Sequence, residues 1–187
     1  MKKKSLALVL ALAMIVVCVV GGTLAWLTAT TSEVKNTFTY GDIDITLAET
    51  KTDFKMIPGY TIAKDPKVTV QAGSEDCYLF VKVEESTNLK QFISYTVDNG
   101  WTALTGVDGV YYRVVNASAG DQTFSVLAGD KVTVNSTVTK AMLNGLNADG
   151  AIQPTLTFTA YAVQLNENNT TEFTPAQAWA KVNPPTT

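Results

Sequence analysis

The chain has 187 residues, 46% of them apolar and 17% charged, with a formal net charge of −3 and no His. That length allows one folded domain with a tail, and the abundance of Thr and Val over Leu favours strands. The lack of His excludes Ser-His-Asp triads, Cys-His pairs and His-based zinc sites, HExxH among them; the lack of a basic patch beyond the first residues argues against nucleic acid as a partner.

The first element is an export signal. Lys2, Lys3 and Lys4 form a basic start, Leu6 to Val20 is an unbroken apolar run, and Gly21-Gly22 then breaks a helix. Thr23 and Ala25 place small residues where a signal peptidase reads them, so cleavage is expected after Ala25, leaving Trp26 first. The competing reading is a retained anchor, because Leu6 to Leu27 is long enough to span a bilayer. A lipoprotein signal through Cys18 is disfavoured by the bulk of Val17. Cleavage leaves 11 basic and 17 acidic residues, a net charge of −6, and Cys77 as the lone cysteine, so no intramolecular disulfide is expected. The expected organisation is a signal peptide over 1–25, an arm over 26–38 and a folded domain over 39–187.

The domain reads as strand after strand. Asp42 to Leu47 alternates, with Ile43, Ile45 and Leu47 on one face. Lys67 to Val70 alternates with Val68 and Val70 inward. Tyr78 to Glu84, Ile93 to Val97, Val110 to Val115, Thr123 to Leu127 and Val132 to Val138 follow, punctuated by Asp98-Asn99-Gly100, Asp108-Gly109 and Gly129-Asp130. Thr155 to Leu165 is the longest strand expected. Three short helices are expected: Asn88 to Phe92, Lys140 to Leu146, and one over Ala176 to Val182 with Thr174 as N-cap and Pro175 at its first position. Eight or nine short strands with turns between them predict an all-β fold, a β-sandwich with jelly-roll or Greek-key connections and a few short helices.

Chemistry is sparse. Asp42 and Asp44 share a strand face and could hold a hard cation, but alternating Asp and Thr is also what a solvated face looks like, and no metal or cofactor is expected. Glu75/Asp76 and Glu84/Glu85 read as solvated strand ends. Glycoside hydrolysis needs opposed carboxylates that spacing alone does not supply. Cys77, ahead of an apolar run, reads as a buried small residue. Trp101, Tyr111, Tyr112 and Trp179 read as core, with a sugar-binding face as the alternative. Asn116, Asn135, Asn168 and Asn169 sit in glycosylation-like sequons, a pattern frequent by chance in a Thr-rich chain. Asn183-Pro184-Pro185-Thr186 lacks the tail that a sorting signal needs. No catalytic residue emerges, and an enzyme is not expected.

Several stretches resemble the TasA/camelysin family of exported bacterial proteins, whose signals are cut by the SipW type of signal peptidase. They are Gly21-Gly22-Thr23-Leu24-Ala25-Trp26, then Asn36-Thr37-Phe38-Thr39-Tyr40-Gly41-Asp42-Ile43-Asp44-Ile45-Thr46-Leu47, then Ile57-Pro58-Gly59 with Lys64 and Val68. Tyr161-Ala162-Val163-Gln164 and Ala178-Trp179 are similar to the family's closing strand and helix.

The resemblance implies a jelly-roll sandwich and a structural role in the matrix of biofilms, secreted or at the surface of a bacterium. It implies fibres in which the N-terminal strand freed by cleavage inserts into a neighbouring copy, with Trp26, Leu27, Val34 and Phe38 as apolar anchors of that arm. Strand addition draws affinity from backbone hydrogen bonds and specificity from alternate side chains. A head-to-tail contact that does not close gives a filament. The implied partners are further copies of the chain, the signal peptidase and other matrix proteins, with the membrane touched only before cleavage. The camelysin branch carries a metallopeptidase label, but this chain has no His to hold zinc. The competing class is a monomeric cell-surface binding module, for carbohydrate or adhesion, built on the Trp and Tyr residues.

Overall fold

A nine-residue strand, Cys77–Glu85 (β4), organises the molecule because it is apolar on both faces and the chain covers both. The computed structural model describes residues 42–51, 54–168 and 170–183, all within the compact unit Tyr40–Thr187. The residues expected as signal and arm, 1–25 and 26–38, lie outside the described residues.

Strands are β1 (Ile45–Ala48), β2 (Thr61–Ala63), β3 (Lys67–Val70), β4, β5 (Ile93–Ser94), β6 (Thr102–Ala103), β7 (Val110–Val115), β8 (Gln122–Ser125), β9 (Lys131–Val134), β10 (Leu156–Gln164), β11 (Asn166–Asn168) and β12 (Thr171–Glu172). Helices are α1 (Leu89–Phe92), α2 (Lys140–Gly145) and α3 (Pro175–Val182). All described pairings are antiparallel. The fold is thus all-β with a few short helices.

One sheet runs β10-β4-β7-β6, with Phe80 opposite Tyr161 on β10 and Tyr112 on β7. Facing it are β1-β3-β8 and β2-β9-β5. These two groups are halves of one bent sheet, since β2 leads into β3, β8 leads into β9, and each pairs with the other's continuation. The bend falls where Pro66 lacks a donor and a turn at Ala128–Asp130 places Gly129 and Asp130 at φ 67° and 52°. Backbone bonds Lys64 N to Asp130 O and Val126 N to Pro66 O, each 2.9 Å, carry the ladder across it. A bridge at Val97 and Leu127 extends β5 along the same sheet.

The period of two in the strands decides the core. Cys77, Leu79 and Val81 point towards Val68, Val70 and Val126 of the facing sheet, with Trp101 beside them. Tyr78 and Phe80 point the other way, against Val163, Phe173, Ala178 and Trp179. The Phe80 and Tyr161 rings lie 5.3 and 5.2 Å from Trp179. Helix α3 is fixed there by a capping box: Thr174 and Gln177 each bond the other's backbone. A third cluster, with Leu89, Ile93, Leu127, Val132 and Val134, fills the half beneath β2, β9 and β5.

The strand expected over Val132 to Val138 ends at Val134, because Val138 N turns back to Asn135 O. Val138 is buried all the same, at the edge of the third cluster.

Candidate functional site

Two edges meet without pairing. β10 is the outermost strand of its sheet and β1 of the facing one, so among the described residues neither has a partner on its outer side. β1 nevertheless lies against β10. An unpaired edge presents a row of free N–H and C=O groups, and proteins usually cover or charge such a row. The side chains of β10 do not: Leu156, Thr157, Phe158, Thr159, Ala160, Tyr161, Ala162, Val163 and Gln164 carry no charge.

At its Leu156 end, β10 opens into a cleft of about 450 Å³ lined by Phe54, Met56, Ile62, Val132, Pro154 and Leu156, among others. Lys64 forms part of its wall and is 8% exposed. Its Nζ donates to Glu49 Oε1 at 2.7 Å, and it lies 5.1 and 5.4 Å from the Phe54 and Phe158 rings. This buried pair, with Thr50 bonded to Asp65 through N and Oγ1, anchors the segment after β1 beside β2 and β3. The two Thr50 bonds hold the Asp65 carboxyl below its ordinary range. Ile57, Tyr60 and Ile152 are exposed at the same end of the molecule, Tyr60 at 63%.

The expected processing and arm residues, Thr23, Ala25, Trp26, Leu27, Val34 and Phe38, all lie outside the described residues. The aromatic candidates are in the interior. Trp101 is 6% exposed and its Nε1 donates to Ser125 O at 2.8 Å; Trp179 is 5% exposed beneath α3. Tyr111 and Tyr112 are half-buried against the two clusters of the β4 sheet. Cys77 is fully buried, and burial pushes its thiol up to about 11, which removes the thiolate that nucleophilic chemistry needs. Arg113, expected nowhere as a site residue, stacks 3.7 Å over Phe124, and burial lowers its pKa. Its inward place follows from register, opposite Leu79.

Asp42 and Asp44 are both exposed, and among the described residues no group of three or more Cys, Asp or Glu side chains is placed to share a metal ion. Among them too, no helix is long and apolar enough to cross a membrane. Set against family models, curated proteins and solved structures, the chain gives no match.

Proposed function

We propose that this is a secreted bacterial matrix protein of the TasA/camelysin kind, a structural protein and not an enzyme, that builds fibres by strand donation. After cleavage by a SipW-type signal peptidase behind Ala25, residues 26–38 of one copy add to the outer edge of β10, beside β1, of the next. The observation that carries this reading is the seam between β1 and β10: two neighbouring edges, uncharged along β10, unpartnered among the described residues, and leading into an apolar cleft. Backbone bonds contribute roughly 0.5–1.5 kcal/mol each net, so a ladder along β10 and the burial of Trp26, Leu27, Val34 or Phe38 together work against the cost of ordering the arm.

The connectivity supports a jelly-roll sandwich. The chain alternates between the facing sheets, from β2–β3 to β4, to β5, to the β6–β7 hairpin, to β8–β9 and to β10. Closing a sandwich protects its sheet edges, and here the edge strands β1 and β10 of the facing sheets lie side by side.

The test is electron microscopy of the mature protein beside a variant lacking residues 26–38. Filaments from the first and folded, soluble protein from the second are expected. Filaments in equal yield from the truncated protein would sink strand donation. A truncated protein that no longer folds would instead assign those residues to the domain's own sheet.

A further inference from the structure

The charges are sorted along β4. At its Cys77 end lie four segments, 42–44, 71–76, 116–121 and 165–173. They carry Asp42, Asp44, Glu75, Asp76, Asp121, Glu167 and Glu172 and no Lys or Arg. The registers place all four there: Ile45 pairs with Val70, Val115 and Gln164 both pair with Cys77, and Leu165 N bonds Asp76 O. All seven acids but Asp76 are exposed.

The Glu85 end is different. It holds the apolar cleft, exposed Ile57, Tyr60 and Ile152 beside it, and most of the described lysines; Lys181 lies at the Cys77 end, with Glu167 and Phe173. Four of its acids are in ion pairs, Glu49 with Lys64, Glu84 with Lys82, Glu85 with Lys90 and Asp130 with Lys67, and Asp65 is held by Thr50; Asp108 and Asp149 are exposed and, among the described residues, make no ion pair. Lys51, Lys55, Lys131 and Lys140 are exposed and, among the described residues, make no ion pair.

We infer that the apolar cleft, together with the exposed lysines of the Glu85 end, is a docking face for the acidic Cys77 end of a second copy of this chain. The inference rests on the self-assembly reading above and adds the face that orients it. The occupant follows from complementarity: a mainly acidic end, and a surface whose Lys51, Lys55, Lys131 and Lys140 make no ion pair among the described residues, occur on the same molecule, so copies attract end to end and repel acid to acid. The described chain begins at Asp42, on the acidic end, so docking brings the segment before it towards the neighbour's cleft. Complementary charge at a rim acts mainly on encounter rate and orientation, while the apolar centre holds the contact.

The test uses the mature chain in two charge-reversed forms, each checked for native circular dichroism. One carries Lys51→Glu, Lys55→Glu, Lys131→Glu and Lys140→Glu; the other carries Asp44→Lys, Glu75→Lys, Glu167→Lys and Glu172→Lys. Followed by light scattering in about 20 mM NaCl, each alone should assemble about tenfold or more slowly than wild type. An equimolar mixture should regain the wild-type rate within about twofold. In about 500 mM NaCl, where charges are screened beyond roughly 4 Å, the differences should vanish. Wild-type rates from either variant alone, or a mixture no faster than its components, would overturn the docking face while leaving strand donation standing. Should wild type form no filaments, strand donation fails instead, and sedimentation of the soluble chain decides the docking face: association that weakens with salt sustains it, and monomers at every salt overturn it.

Discussion

β4 and β10 are neighbours of equal length, paired residue for residue from Cys77 and Gln164 to Glu85 and Leu156, yet they do opposite jobs. β4 has a strand on each side, a sheet over one face and α3 over the other. Its sequence, apolar at every position from Cys77 to Val81, suits that enclosure. β10 alternates Thr with apolar residues, keeps small Ala160 and Ala162 towards the facing sheet, and has one edge without a partner among the described residues. The difference teaches where stability and assembly reside. Changes on β4 should unfold the domain; changes at the outer edge of β10 should alter what it joins.

The largest effect should come from the centre of β4. Phe80→Ala removes a fully buried ring that Tyr78, Tyr112 and Trp179 surround, and should cost about 3–5 kcal/mol in urea denaturation. A cost below about 1 kcal/mol would mean that the helix does not pack the sheet as described.

Gly109 should come next. It sits at φ +73°, and a Cβ there would stand 2.5 Å from the Val83 carbonyl oxygen of β4. Gly73 has a similar φ, +84°, with nothing within 4 Å. Left-handed geometry alone costs an Ala roughly 1–2 kcal/mol, so Gly73→Ala should lose about that much and Gly109→Ala clearly more. Equal losses would show that the β6–β7 turn gives way freely.

Cys77, at the first position of β4, offers a pH test. Burial raises its thiol from 9.0 to about 11. Because the folded value is the higher one, its contribution is complete below pH 9 and is lost as pH rises towards 11. Stability should therefore fall across that window, and Cys77→Ala should flatten the fall. The same burial should leave the native thiol unreactive at pH 8 and the denatured thiol labelled at once.

The smallest effect on the fold, and the sharpest contrast with Phe80, belongs to Thr157. It is exposed on β10 beside the cleft. Thr157→Lys should leave stability within about 0.5 kcal/mol while lowering filament yield several-fold, because charge on an edge strand opposes further pairing. An unaltered yield would move the acceptor away from this end of β10.

Much of the fold was legible. Lys67–Val70 and Val110–Val115 appear with the bounds that alternation gives them, and Thr174-Pro175 opens α3 as cap and first-turn residues should. β2, β6, β11 and β12 were not foreseen, because two or three residues carry no readable period. Val132 to Val138 read too long because Val138 keeps the alternation while Ser136 and Thr137 form a turn. The seam was invisible for a different reason. Thr155 to Leu165 announces a strand, but which strand lies beside it is decided by residues 71 to 87 positions away. The acidic end, likewise, gathers four loops that are far apart in the chain.

Hydrogen exchange along β10, compared between the monomer and the filament, tests the central claim most directly. Strand donation predicts that amides of Leu156–Gln164 that point away from β4 exchange freely in the monomer and become protected in the filament, while those of β4 are protected in both. Filaments in which β10 exchanges as it does in the monomer would contradict it.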